Sequence, residues 1–257
     1  MDYLVVLKDI VQIVFWLLAG VLAVLTYRQA RRTVLQPIRT EVFKEQLKVM
    51  SEVMSLFVGK GEVPLREDFK FYALFNANAC YLLDSYAASV FDMKFDPDKR
   101  LYNSTDCPMK IHTIESIKKT SGSQDGSGSA LYSQVYVGDW SLHEVDRLYL
   151  NKQCCEMTQR ITQLLENPLL PSRMVELLSE YLKIVGNNQS ILMRLLEKES
   201  KSLAAKFPSL HDMDAHAVWS RNLLTEYMKE FEHFKPVADE IVKFVRCYFG
   251  TDNLKRL

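Results

Sequence analysis

Eighteen consecutive residues, Ile10 to Tyr27 (IVQIVFWLLAGVLAVLTY), carry no charge, with Lys8-Asp9 before them and Arg28 after. As an α-helix this run spans roughly 27 Å, close to the thickness of a bilayer's hydrocarbon core. A small tilt, with Lys8 snorkelling to the headgroups, closes the difference. The run therefore predicts one transmembrane helix over residues 10–27, behind a short extracytoplasmic N-terminus of residues 1–9. A cleaved signal peptide fits less well. Its leading segment should be basic, whereas Asp2 and Asp9 here oppose the single Lys8, and Arg28, Arg31 and Arg32 follow as a stop-transfer cluster. Tyr3 and Tyr27 sit where interfacial aromatics belong.

The flanks set the expected orientation. Residues 28–48 hold six basic side chains against Glu41 and Glu45, and Arg28, Arg31, Arg32 and Arg39 are the ones expected at the membrane surface. The positive-inside rule then places the N-terminus outside and everything beyond residue 28 in the cytoplasm, at the inner (plasma) membrane of a cell. The first 48 residues contain seven basic and four acidic groups, which leaves 25 basic against 28 acidic in the remainder. That balance argues against nucleic acid as a partner, because duplex binding depends on phosphate neutralisation. Five cysteines form no C-x-x-C pair, and behind such a topology they are expected as free thiols.

Downstream of the span, residues 28–58 predict a basic amphipathic helix, with Pro37 expected to kink or interrupt it near Val34–Gln36. Phe43, Leu47, Met50, Met54 and Phe57 recur at steps of 4, 3, 4 and 3, a heptad-like seam widened by Val42, Val49 and Val53. Such a seam either docks on the protein's own domain or pairs with another copy. Gly59-Lys60-Gly61 and Pro64 end it.

Residues 65–250 are expected to form a cytoplasmic helical domain, making the chain all-α. A helix over 66–91, apolar on several faces, should lie at its centre. Met109 to Thr120 reads as a short helix, 118–131 as a flexible Gly/Ser-rich loop, and Leu131 to Val137 has weak strand character. Ser141-Leu142-His143-Glu144 is a capping-box sequence, expected to open a helix running to about Glu166. Asn167-Pro168 makes a corner, Ser172 should cap the next helix, and Gly186-Asn187-Asn188 is a site where that helix ends or bends. Ser209 with Asp212 forms another N-cap signal, a helix follows to Phe234, and Pro236 and Gly250 bracket the last one.

Chemistry is sparse. His211-Asp212-x-Asp214-x-His216 offers metal-ligating residue types, with Asp212 and His216 one helical turn apart. His211-Asp212 resembles the paired His-Asp of HD-type phosphohydrolases, all-helical metal enzymes. That resemblance implies a further His and Asp, roles that fall to His143 and Asp239, although the spacing from His143 is long. N-capping accounts equally for Asp212 and Asp214. No phosphate loop, dinucleotide fingerprint, H-E-x-x-H or G-x-S-x-G occurs. Cys80, Cys154 or Cys247 with His143 or His233 are the available thiol–imidazole combinations. No cofactor and no small-molecule ligand is identifiable.

The stretch TYRQARRTVLQPIRTEVFKEQ resembles the membrane-exit region of uncharacterised bacterial single-pass membrane proteins, over residues 10–57. The resemblance implies a bacterial inner-membrane setting and brings no activity with it. The expected function is that of a membrane-anchored interaction or scaffold protein, with the bilayer and a protein partner or a second copy as partners. A membrane-perturbing effector of a stress or defence system, its anchors associating through Gln12, Gly20 and Thr26, is the alternative. A metal-dependent phosphohydrolase is the second.

Overall fold

A computed structural model describes residues 2–112 and 138–250. The predicted loop at 118–131, the strand-like stretch at 131–137 and Thr113–Thr120 lie outside the described residues. The protein is mostly helical. Its chain divides into two compact units, residues 1–52 and 53–257.

Helix α1 (Asp2–Phe57) is α-helical throughout and includes Pro37, so the expected interruption at Val34–Gln36 does not occur. Just beyond the proline, the Thr40 hydroxyl donates to the Gln36 carbonyl at 2.9 Å, reinforcing the turn that follows the missing N–H. The helix stops where Gly59 adopts φ +73°, a left-handed conformation that spares glycine the steric cost of a Cβ. Lys60 then clamps Asp68 through both carboxylate oxygens, at 2.9 and 2.7 Å.

The second unit is built on a central helix that the sequence placed correctly but began too early. A short α2 (Glu62–Glu67) precedes it, Lys70 breaks the chain at φ +50°, and α3 runs Phe71–Phe91. Leu74, Phe75, Leu82 and Tyr86 fill the core from its several faces. Two strands follow, β1 (Met109–His112) and β2 (Arg147–Leu150), paired antiparallel with Lys110 opposite Tyr149. They correct two helical expectations. Met109–His112 is strand, and the Ser141 capping sequence falls within a 3₁₀ turn, Trp140–Leu142, in which the Ser141 amide donates to the Asp139 carboxylate at 3.0 Å. The helix expected there starts ten residues later as α4 (Lys152–Leu165), capped by Asn151, which accepts from the Cys154 amide at 2.8 Å.

Asn78 explains how a two-stranded ribbon survives in a helical domain. From α3, its amide nitrogen donates to the Tyr149 carbonyl at 2.9 Å, and its oxygen accepts from the Tyr149 N–H at 2.8 Å. Among the described residues, this one buried side chain satisfies the Tyr149 groups that β1 does not reach.

Helix α5 (Ser172–Ser200) passes unbroken through Gly186–Asn188, and Pro171, not Ser172, occupies its cap position. Asn188 repeats the Asn78 device. It accepts from the Glu232 amide at 2.8 Å and donates to the Glu232 carbonyl at 3.0 Å. The polar triplet is therefore a clamp on a distant loop, and helix formation continues around it. After the one-turn α6 (Leu203–Lys206), α7 (His216–Glu230) and α8 (Lys235–Tyr248) complete the unit, with Gly250 at φ +62° beyond the last.

Aromatic rings from distant parts of the sequence meet in the core. Phe57 packs edge-on to Tyr181 at 5.0 Å, Tyr181 lies 5.1 Å from Phe234, and Phe234 stacks on Phe69 at 5.7 Å. A second group joins Tyr81, Tyr102 and Tyr149. His143 is buried and stacked on Trp140 at 4.1 Å, and the cost of desolvating its charged form pushes the imidazole down to about 4. The unfolded chain takes up a proton near pH 6.5 that the folded one refuses until near pH 4, so stability is full above pH 6.5 and falls as pH drops through that window. A loss of about 3 kcal/mol across the window is expected. His143→Phe, which keeps the stack, should flatten that part of a denaturation-versus-pH curve.

Candidate functional site

The residues with functional signatures fall into three places. The first is α1. Gln12–Ala30 is a helical stretch long and apolar enough to cross a membrane, and none of it is buried. Phe15, Trp16, Leu17 and Val21 are each exposed by more than half their surface. The Thr26 hydroxyl, counted among the polar groups available between spans, donates to the Leu22 carbonyl of its own helix at 2.8 Å. Nothing lies within 4 Å of where a Cβ on Gly20 would sit. Gln12 is exposed.

The seam expected along α1 is divided. Met50 and Phe57 are fully buried and Met54 is half-buried, whereas Phe43 and Leu47 are 47% and 44% exposed. Ile38 and Val42 add 59% and 44% exposure. Ile38/Val42 and Phe43/Leu47 are two i, i+4 pairs that together cover about half the helix circumference. Arg28 and Arg39 are exposed; the side chains of Arg31 and Arg32 lie outside the described ones.

The second place is the 3₁₀ turn Asp212–Ala215, which holds the metal-type residues. Asp212 is engaged as a cap, accepting from the Ser209 amide at 3.0 Å and its hydroxyl at 2.6 Å. His211 and Asp214 form an exposed pair at 3.4 Å, and His216 Nδ1 lies 2.9 Å from the Met213 carbonyl. Among the described residues, no three His, Cys, Asp or Glu side chains converge as metal ligands would. His143 and Asp239 are not brought to this turn. His143 stacks on Trp140, while Asp239 pairs with Lys235 on α8.

The third place adjoins the second, since Asp214 and His216 of the metal-type cluster also line it. A groove of about 550 Å³ opens between α3, the loop at 93–101 and the segment 210–220, lined largely by apolar side chains such as Leu83, Met93, Phe95 and Leu210. At its base, the Asp84 carboxylate receives the Arg100 guanidinium at 2.9 Å and the Tyr102 hydroxyl at 3.1 Å. Burial raises the Asp84 carboxyl from its ordinary value, against the opposing pull of Arg100 and Tyr102. Arg100 also lies over the Phe95 ring at 4.6 Å. This is a guanidinium–carboxylate pair set in a largely apolar wall.

Two of the thiols, Cys80 and Cys154, are held in their protonated form. Burial pushes Cys80 up to about 11, with Asp84 beside it adding to the effect. Cys154 is likewise pushed up to about 11 by burial. Both remain protonated at neutral pH, where the nucleophile is the thiolate. All five cysteines are free. Neither Asp84 nor Arg100 carries a sequence signal, because they are single charged residues sixteen apart in contexts that also describe solvated positions. Compared with protein-family models, with curated proteins and with solved structures, the chain matches none.

Proposed function

We propose that the chain is a membrane-anchored interaction protein, held by α1 in the inner membrane of a cell with its N-terminus outside, which associates with a second copy of itself through the first half of the cytoplasmic part of α1. The observation that carries this reading is the exposure of Ile38, Val42, Phe43 and Leu47, immediately past the apolar span on the same continuous helix. An anchor confines copies to a plane, so a helical contact too weak to form in dilute solution is populated at the membrane. Four large apolar side chains at these positions each keep 44% or more of their surface exposed. They have a role in closing a parallel helix pair, where about half of each helix face is covered.

The test is crosslinking of the full chain in native membranes. Leu47→Cys is expected to give a disulfide-linked dimer on mild oxidation. Val42→Asp with Leu47→Asp should reduce dimer recovered by amine crosslinking about tenfold, while thermal stability shifts by no more than about 0.5 kcal/mol, as for other exposed positions. A chain that stays monomeric in the membrane, or an aspartate variant that crosslinks like the parent, would overturn the reading.

A further inference from the structure

The groove against α3 holds a buried carboxylate with one oxygen to spare. Asp84 is 7% exposed, and its partners converge on Oδ2: the Arg100 guanidinium at 2.9 Å, the Tyr102 hydroxyl at 3.1 Å and the Cys80 thiol at 3.7 Å. Oδ1 accepts no hydrogen bond from the described residues, although Asp84 lines a volume of about 550 Å³. A carboxylate oxygen withdrawn from water costs free energy until a donor reaches it. Burial raises the Asp84 carboxyl in spite of Arg100 and Tyr102, so those partners leave part of that demand unmet.

The neighbours of Asp84 decide what kind of donor fits. Arg100 already lies against Oδ2, with its guanidinium over the Phe95 ring at 4.6 Å, so a second cation would meet a like charge. An anion would meet Asp84 itself. Beyond this balanced pair the wall is mostly apolar, with Leu83, Met93 and Leu210 facing the volume and the small side chains Ala79 and Ala87 leaving room beside α3. At the rim, Asp214 and His216 are exposed and engaged with His211 and the Met213 carbonyl. The volume is in the range of sites that enclose small organic molecules.

We propose that this groove binds a small uncharged amphiphile, an alcohol or amide whose O–H or N–H donates to Asp84 Oδ1 while its apolar body lies against Leu83, Met93 and Leu210. The polar head satisfies the spare oxygen, and the body covers apolar wall that water now touches.

The probes are a trifluoromethyl-diazirine benzyl alcohol and the benzoate and benzylammonium built on the same ring. Each is photolysed with the full chain in phosphatidylcholine nanodiscs, with and without excess plain benzyl alcohol, and the adducts are mapped by mass spectrometry. The alcohol is expected to label residues 93–101 and 210–216 about fivefold more than either charged probe, and excess benzyl alcohol should suppress that labelling. Leu101→Asp with Leu210→Asp should cut it about tenfold. Both positions are more than half exposed, so the fold is retained. Asp84→Asn removes the charge that balances Arg100, and the folded variant should turn to prefer the benzoate. Equal labelling of the groove by all three probes, failure of benzyl alcohol to compete, or parent-level labelling in the Leu101/Leu210 variant would overturn the proposal. An unchanged order of probes in folded Asp84→Asn would do the same.

Discussion

Made in bacterial cells, the full-length chain is expected to sediment with the membranes, to remain there through high salt and alkaline carbonate, and to keep its first thirty residues by intact mass. Gln12–Ala30 contains nine Leu, Ile, Val and Phe residues, each favouring insertion by about 0.3–0.6 kcal/mol at the centre of a span. Together they favour the bilayer by about 3–5 kcal/mol, opposed in this stretch by the single charge of Arg28 near its end. Replacing Leu18 and Val21 with arginine costs about 2.5–3.5 kcal/mol at each site, enough to reverse the balance. That variant should leave the membrane fraction. A tag fused after Leu257 should resist protease applied outside intact cells. Recovery of the parent chain in the soluble fraction, a mature N-terminus near residue 28, or digestion of the tag from outside would each defeat the anchored topology.

Substitution of Asn78 by alanine is expected to cost about 3–5 kcal/mol in urea denaturation, a large part of the stability of a domain this size. The residue is 1% exposed, and its amide also donates to the Leu74 carbonyl at 2.8 Å. Removing it leaves the Tyr149 N–H and C=O without partners in a site closed to water, at about 1–3 kcal/mol for each group. Asn78→Asp should do no better. Its carboxylate still accepts from the Tyr149 amide but turns an acceptor toward the Tyr149 carbonyl and places a charge where none is compensated. Loss of under about 1 kcal/mol in the alanine variant would mean that the ribbon is held by its own pairing and by Tyr149 packing instead.

What the residues disclosed in advance follows the range of the forces involved. Gly59, Gly250, the Pro168 corner and the long helices α3, α5 and α8 were legible because caps, breakers and helical periodicity act within a few residues. The ribbon was not. Met109-Lys-Ile-His and Arg147-Leu-Tyr-Leu are each too short to announce a strand, and what makes them strands is an asparagine about seventy residues away in sequence from Tyr149. The Ser141 capping sequence was a sound local signal defeated by that same distant demand. Asn187-Asn188 misled in the opposite direction, since a helix terminator and a mid-helix clamp have the same composition. The Asp84–Arg100 pair had no motif of its own, although Asp214 and His216 of the metal-type cluster reach the same groove. The seam at Phe43–Phe57 had the right period, but periodicity does not say which of its residues the chain itself covers.

The aromatic core has a consequence for how the protein is made. Phe57 and Phe69 meet Tyr181 and Phe234, partners separated by well over a hundred positions, so these contacts close only after most of the polypeptide exists. Until the ribosome has delivered the segment containing Phe234, the nascent chain presents unfinished greasy rings to the cell. A truncation short of that point is expected to be prey for chaperones and proteases, however complete its earlier helices are.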